Sequence, residues 1–170
     1  MSTQGASTSS LSSSSSSTPR WKYDVYLSFI GLDTRRTFTD LLYDALHRKG
    51  ILTFRDDEKL QRGVYISEEL YKAMEESRFA IVILSQNYPF STWCMEELAN
   101  IIRCKKEKGM QVFPVFYDID PSDLRNQRGY FGEAFAKHEE RFEGNIEKIQ
   151  AWRAALREVS NLSGWQARDR

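Results

Sequence analysis

The sequence predicts an α/β domain in which helices wrap a parallel sheet. Four short runs carry that expectation: YDVYLSF (23–29), ILTF (51–54), FAIVIL (79–84) and QVFPVFY (111–117). They are rich in β-branched and aromatic residues and mostly continuous, as strands buried on both faces read. Amphipathic segments separate them, so the order is β-α-β-α-β-α-β, and such crossovers are right-handed.

Taken in order, residues 2–18 (STQGASTSSLSSSSSST) come first and are Ser/Thr-dominated. A segment with so little apolar surface cannot offset its ordering entropy and is expected to be disordered. It has no apolar h-region, and Arg20 is its first basic residue, which argues against a targeting leader. The expected division is a leader at 1–20, a folded domain at 21–165 and the start of a linker at 166–170. Between the first two strands a helix over about 34–49 carries Phe38, Leu41, Leu42, Ala45 and Leu46 on one face and stops at Gly50. Ser67 caps a second helix running to about Ser77, with Leu70, Ala73 and Met74 inward. A third occupies 92–107 and stops at Gly109. After Tyr117 the stretch DIDPSDLRNQRGYFG (118–132) reads as a long polar loop. Helical patterning resumes at 131–142 and at 146–162, where Ile146, Ile149, Trp152, Leu156 and Val159 share a stripe. No pattern locates a fifth strand.

Composition narrows the function. The 170 residues are 41% hydrophobic and 13% aromatic, enough for a core, and 24 basic side chains balance 24 acidic ones. No global field therefore draws the chain to nucleic acid or an anionic membrane. Cys94 and Cys104 fit neither a zinc spacing nor a redox motif. The expectation is no metal, a reducing cytoplasmic or nuclear setting, and no membrane, since no apolar run approaches about 18 residues.

In open parallel sheets ligands bind beyond the carboxyl ends of the strands, at the switch point. Those ends are FIGLDTRR (29–36), RDDEKLQRGVY (55–65), SQNYPFST (85–92) and DIDPSDLR (118–125). With the order 2-1-3-4, FIGLDTRR faces the head of the third helix. That helix carries the pair Glu96 and Glu97 in STWCMEELAN (91–100). At roughly 100° per residue, Met95, Leu98, Ala99 and Ile102 form an apolar arc that Cys94, Ile101 and Trp93 extend. Glu97 falls inside the extension, with Trp93 and Ile101 one turn to either side. Glu96 falls on the far side and is expected to be solvated. A carboxylate on an apolar flank is either a functional acid or a boundary glutamate paired with a basic residue.

YDVYLSF with GLDTR, FRDDEKLQRG, AIVILSQNY, STWCMEEL, VFYDIDPSDLR and FGEAFAKHEERF together resemble the TIR (Toll/interleukin-1 receptor) domains of plant immune receptors, over about residues 21–165. The resemblance implies a flavodoxin-like three-layer sandwich with a sheet of about five parallel strands, ordered 2-1-3-4-5. It implies signalling by self-association, through the first helix (about 34–49), the last helix (about 146–162) and the loop at 55–66, with other TIR domains as further partners. It also implies cleavage of NAD⁺, as substrate and with no cofactor, to nicotinamide and ADP-ribose-type products, and defence and cell death as the outcome. The family's catalytic glutamate lies in Trp-Cys-Leu-x-Glu-Leu, which here reads Trp93-Cys94-Met95-Glu96-Glu97-Leu98, so the role falls on Glu97. By the same resemblance Ile30, Gly31, Leu32, Asp33, Thr34 and Arg35 line the nucleotide, Gly63 lies in the loop that covers the pocket, and Trp93 walls it. Plainer roles compete: Asp33 as a helix cap, Arg35 and Arg36 as a solvated face, Trp93 as core.

Three departures bear on activity. Ile30-Gly31-Leu32-Asp33 stands where the family usually has Arg-Gly-Glu-Asp, Asp40-Leu41 where many members have Ser-His, and Val64 where an Asp follows Arg-Gly. The first removes a cation and a carboxylate from the pocket rim, and keeps open a non-enzymatic adaptor that recruits other TIR domains. A phosphoacceptor receiver needs an aspartate at the end of the third strand, where this chain has Leu84-Ser85. A flavodoxin needs a hydroxyl-rich phosphate loop, which FIGLDTRR matches poorly. In the family such a domain usually leads a longer receptor with nucleotide-binding and leucine-rich-repeat parts.

Overall fold

A computed structural model describes residues 21–55 and 66–168, without the side chains of Leu32, Arg35 and Arg36. The expected leader, and the loop that carries Arg62, Gly63 and Val64, lie outside the described residues. Five parallel strands form one sheet in the order β2-β1-β3-β4-β5. They are β1 (Tyr23–Ser28), β2 (Thr53–Arg55), β3 (Ser77–Leu84), β4 (Gln111–Tyr117) and β5 (Trp165–Ala167). This is the order expected from the resemblance, and the switch point falls between β1 and β3. β5 is three residues long and crosses the boundary expected at residue 165.

Alternation along the strands divides the core in two. Tyr26, Ala80, Val82, Leu84, Val112 and Phe116 face one layer, formed by α3 (Glu68–Glu75), α4 (Thr92–Lys108) and α7 (Ile146–Ser160). Val25, Leu27, Phe29, Ile81, Ile83, Val115 and Tyr117 face the other. Register enforces the split, pairing Tyr26 with Ala80 and Leu27 with Ile81.

The second face is covered by a helical run in three parts: α1 (Gly31–Thr34), a π-helical turn (Arg35–Thr39) and α2 (Asp40–Arg48). Phe38, Leu42, Tyr43 and Leu46 pack on the sheet. Leu41, expected inward, is 70% exposed. The π turn carries an extra residue that a regular wheel does not contain, so the buried arc rotates toward Tyr43. At the amino ends of the strands Val25, Phe79, Ile81, Phe113 and Trp165 line an open apolar patch.

Two further helices lie between β4 and α7. The stretch read as a polar loop contains α5 (Pro121–Arg125), where the Asp120 carboxylate accepts from the Ser122 N–H and Pro121 opens the helix. α6 (Tyr130–Arg141) follows, and its His138 reaches back to the turn ahead of α4.

Candidate functional site

A 3₁₀ turn at Tyr88–Phe90 leads into α4. Ser91 caps the helix by accepting from the Cys94 N–H at 3.1 Å, and Gly109 (φ 81°) ends it. α4 therefore starts just beyond the carboxyl end of β3 and leans Glu97 onto β1. Glu97 is fully buried. Its Oε2 accepts from the Tyr26 hydroxyl at 2.5 Å, and its Oε1 from the Ser28 hydroxyl at 2.8 Å. Tyr26 and Ser28 are two apart on β1 and so share a face.

The network continues. Ser28 and Tyr88 hydroxyls lie 2.7 Å apart, and the Tyr88 oxygen is 3.3 Å from the Cys94 carbonyl. Counting protons fixes its direction. Ser28 spends its one proton on Glu97 Oε1, so in the Ser28–Tyr88 pair it is Tyr88 that donates. Burial first, with Cys94 and Glu97 adding to it, holds the Tyr88 phenol well above its ordinary range, so it keeps the proton it donates. The Tyr26 ring is held by stacking on Phe54, with centroids 5.3 Å apart and planes at 10°. A buried carboxylate is costly unless hydrogen-bonded, and here each oxygen has a hydroxyl donor.

Above the carboxylate, the segment after β1 is latched to the segment after β3. The Asp33 carboxylate accepts from the Ser85 hydroxyl, the Asn87 N–H at 3.0 Å and the Asn87 side-chain amide at 2.8 Å. It thus spans the switch-point crevice instead of capping its own helix. Thr34 is buried and its hydroxyl lies 2.6 Å from that of Thr39. Ile30 packs against the α4 side of the core. Gly31 opens α1. Trp93 is 5% exposed and sits in the same core, its indole N–H with no acceptor among the described residues. Of the residues expected to line a nucleotide, then, Asp33 spans the crevice, while Thr34, Ile30 and Trp93 point into packed surroundings. Gly63 and the side chains of Leu32 and Arg35 lie outside what is described.

Glu96 is not the solvated residue its wheel position suggested. Its side chain is 28% exposed. Oε1 accepts from the Trp152 indole N–H at 3.1 Å, and Lys148 Nζ stands 3.6 Å away. The far side of α4 is where α7 packs, a neighbour that a wheel of one helix does not contain. Tyr26, Ser28, Tyr88, Ser85 and Asn87 were all missed in the sequence. The one signal was the pair of hydroxyls two apart, Tyr26 and Ser28, interleaved with the apolar Val25, Leu27 and Phe29.

A separate open cleft of about 440 Å³ lies at the carboxyl ends of β3 and β4, with Gln86, Asp118, Asp120, Asp123, Arg128 and Glu133 on its walls. Glu97 and Asp33 are not part of it. Among the described residues no group of His, Cys, Asp or Glu is arranged to hold a metal, and no helix is long and apolar enough to cross a membrane. On the helices expected to self-associate, α2 buries none of its residues, and α7 leaves Ile146 67% exposed.

A model of the family described as "TIR domain" matches residues 22–170. TMV resistance protein N of Nicotiana glutinosa is 54% identical over 89% of this chain and 13% of its own length. Disease resistance protein RPV1 of Vitis rotundifolia is 55% identical over 96% of the chain and 12% of its own length. The chain thus spans about an eighth of the length of these relatives. Among solved structures, the TIR domains of the activated Roq1 resistosome, which directly recognizes the pathogen effector XopQ, are 50% identical with a TM-score of 0.80. That match covers 85% of this chain and 87% of the other.

Proposed function

The chain belongs to the TIR domain family, and on that premise we propose that it is a plant immune-signalling domain that self-associates and cleaves NAD⁺ to nicotinamide and ADP-ribose-type products. The observation that carries this reading is Glu97. It is a carboxylate at the β1/β3 switch point, fully buried and held at both oxygens by hydroxyls of β1.

The chemistry needs little else. Nicotinamide is a cationic leaving group that departs neutral with the electron pair of the C1′–N bond, so no general acid is required. The ribose passes through an oxocarbenium-like state, whose positive charge a carboxylate stabilises as in glycosidases. Water then adds at C1′ and one proton is released, which balances the reaction as NAD⁺ plus water to ADP-ribose, nicotinamide and a proton. Glu97 supplies negative charge in a desolvated place, where it acts far more strongly than in bulk water. Self-association is supported by similarity to domains of an activated resistosome and by the outer side of α2, where Leu41, in the first turn, is 70% exposed. By analogy with the resistance proteins it resembles, the outcome is defence signalling and cell death in the cytoplasm or nucleus.

The test is nicotinamide release from NAD⁺ by the concentrated or artificially clustered chain. Wild type is expected to release it, and Glu97→Ala to lose nearly all activity. Undiminished release by Glu97→Ala would sink the assignment, and no release under clustering would sink the enzyme. The same burial of Glu97 supports a second reading, a non-enzymatic adaptor in which the carboxylate only braces α4 to β1. That reading expects signalling to survive Glu97→Gln and to fail on substitution of Leu41.

A further inference from the structure

Ser28 is the last residue of β1, and so the hydroxyl donor to Glu97 nearer the crevice. A serine hydroxyl has three staggered positions open to it, and here two contacts select one. Its oxygen lies 2.8 Å from Glu97 Oε1 and 2.7 Å from the Tyr88 hydroxyl. Tyr88 is itself fully buried, and its backbone is closed into the turn before α4. Its N–H donates to the Ser85 carbonyl and its carbonyl accepts from the Ser91 N–H, each at 3.1 Å. The next carbonyl, that of Pro89, is held by His138 of α6 at 2.6 Å. Tyr88 is thus a fixed donor, mounted on the turn that starts the helix carrying Glu97.

We propose, resting on the NAD⁺-cleaving reading, that Tyr88 is a positioning residue for Glu97, acting through Ser28 and out of reach of substrate. By donating to the Ser28 oxygen it keeps the Ser28 proton on Oε1. It also polarises that O–H, which strengthens the second hydrogen bond. The carboxylate is then held in one orientation while charge builds on the ribose, so that alignment need not be arranged during the reaction. The Cys94 carbonyl, 3.3 Å from the Tyr88 oxygen, is another acceptor in reach. A Tyr88 proton turned there lets Ser28 donate to Tyr88 instead, and Oε1 loses the Ser28 donor. The shorter contact to Ser28 favours the aligned arrangement.

The test is a double-mutant cycle on nicotinamide release by the whole, clustered chain. Tyr88→Phe keeps the buried ring and is expected to lower kcat roughly 3- to 10-fold with little change in KM. Ser28→Ala is expected to lose at least as much. The decisive protein is the double variant. Without the Ser28 hydroxyl Tyr88 has nothing to align, so Tyr88→Phe in the Ser28→Ala background should cost nothing further. Melting curves confirm folding, and Tyr88→Leu with Ser28→Cys, a poorer donor, repeat the cycle should a first variant fail to fold. Losses that multiply in the double variant overturn the route through Ser28. A Tyr88→Phe protein with unchanged kcat overturns the role altogether, while Glu97-dependent turnover by wild type leaves the enzyme reading standing. Absence of turnover in every protein, wild type included, overturns that reading and this inference with it.

Discussion

The indole N–H of Trp152 donates to Glu96 Oε1 at 3.1 Å and thereby ties α7 to α4. Trp152 is 1% exposed, so Glu96→Ala leaves a buried donor without its acceptor. The expected cost is about 1–3 kcal/mol, or a melting temperature lower by roughly 3–10 °C for a domain of this size. Lys148 contributes little, because its pair with Glu96 is long and partly solvated. Glu96→Gln keeps an acceptor for the indole and should recover most of the loss. Activity per folded molecule should not change in either variant. A wild-type melting curve for Glu96→Ala would show that the tie contributes nothing.

His138 makes stability depend on pH. It is 3% exposed, and its Nε2 lies 2.6 Å from the Pro89 carbonyl, which requires the Nε2–H tautomer of the neutral ring. Burial lowers its pKa below the ordinary 6.5, outweighing the Pro89 hydrogen bond, which raises it, while Arg141 adds to the lowering. The unfolded chain therefore binds a proton from pH 6.5 downward that the folded chain still refuses. The stability from a neutral His138 is complete above pH 6.5 and is lost as pH falls through the depressed value. Urea midpoints should drop between pH 7.5 and 5.5, and the drop should be smaller in His138→Gln. Equal drops in the two proteins would exclude His138 as the source.

Gly164 lets β5 approach β4. A Cβ there would stand 2.2 Å from the Pro114 carbonyl oxygen and 2.7 Å from its Cγ, so alanine cannot be seated without moving backbone. Gly164→Ala is expected to dislodge β5, which pairs Trp165, Gln166 and Ala167 with Val115, Phe116 and Tyr117. The Asp118 N–H donates to Ala167 across this edge at 2.8 Å. Its hydrogen exchange should quicken in the variant while amides of β1 and β3 stay protected, and unchanged exchange at Asp118 would refute the clash.

These residues also explain what the sequence could tell. Strands β1, β3 and β4 were legible because strands buried on both faces must be continuous apolar runs. β5 was not, since Trp165 is 68% exposed and three residues carry no period. The Asp120-Pro121 start of α5 was a readable cap hidden inside a polar stretch. Leu41 was misplaced because a π turn changes phase in a way no regular wheel anticipates. Glu97 was legible from one helix, but its partners Tyr26 and Ser28 are 71 and 69 residues away. Only the β1/β3 adjacency brings them together. Glu96 failed for the same reason, its partner Trp152 being 56 residues downstream.

Asp33 offers the last prediction. Three donors from Ser85 and Asn87 converge on its carboxylate, so it fastens the start of α1 to the turn after β3, directly over the switch point. The site is partly solvated, and the loss in Asp33→Ala should be about 1–2 kcal/mol, seen as a melting point lower by a few degrees. Asp33→Asn should recover only part, because its amide can turn one acceptor toward Asn87 but sets an N–H donor where the carboxylate had a second oxygen. The local measurement is hydrogen exchange at the Asn87 amide, which donates to Asp33 Oδ2 at 3.0 Å. Faster exchange there in Asp33→Ala, with α7 amides unchanged, is the expected outcome. If exchange at Asn87 does not change, the latch is not what holds the two segments together. Under the NAD⁺ reading the latch also predicts a kinetic sign: loosening the crevice should change KM more than kcat, since Asp33 touches neither Glu97 nor its hydroxyl donors.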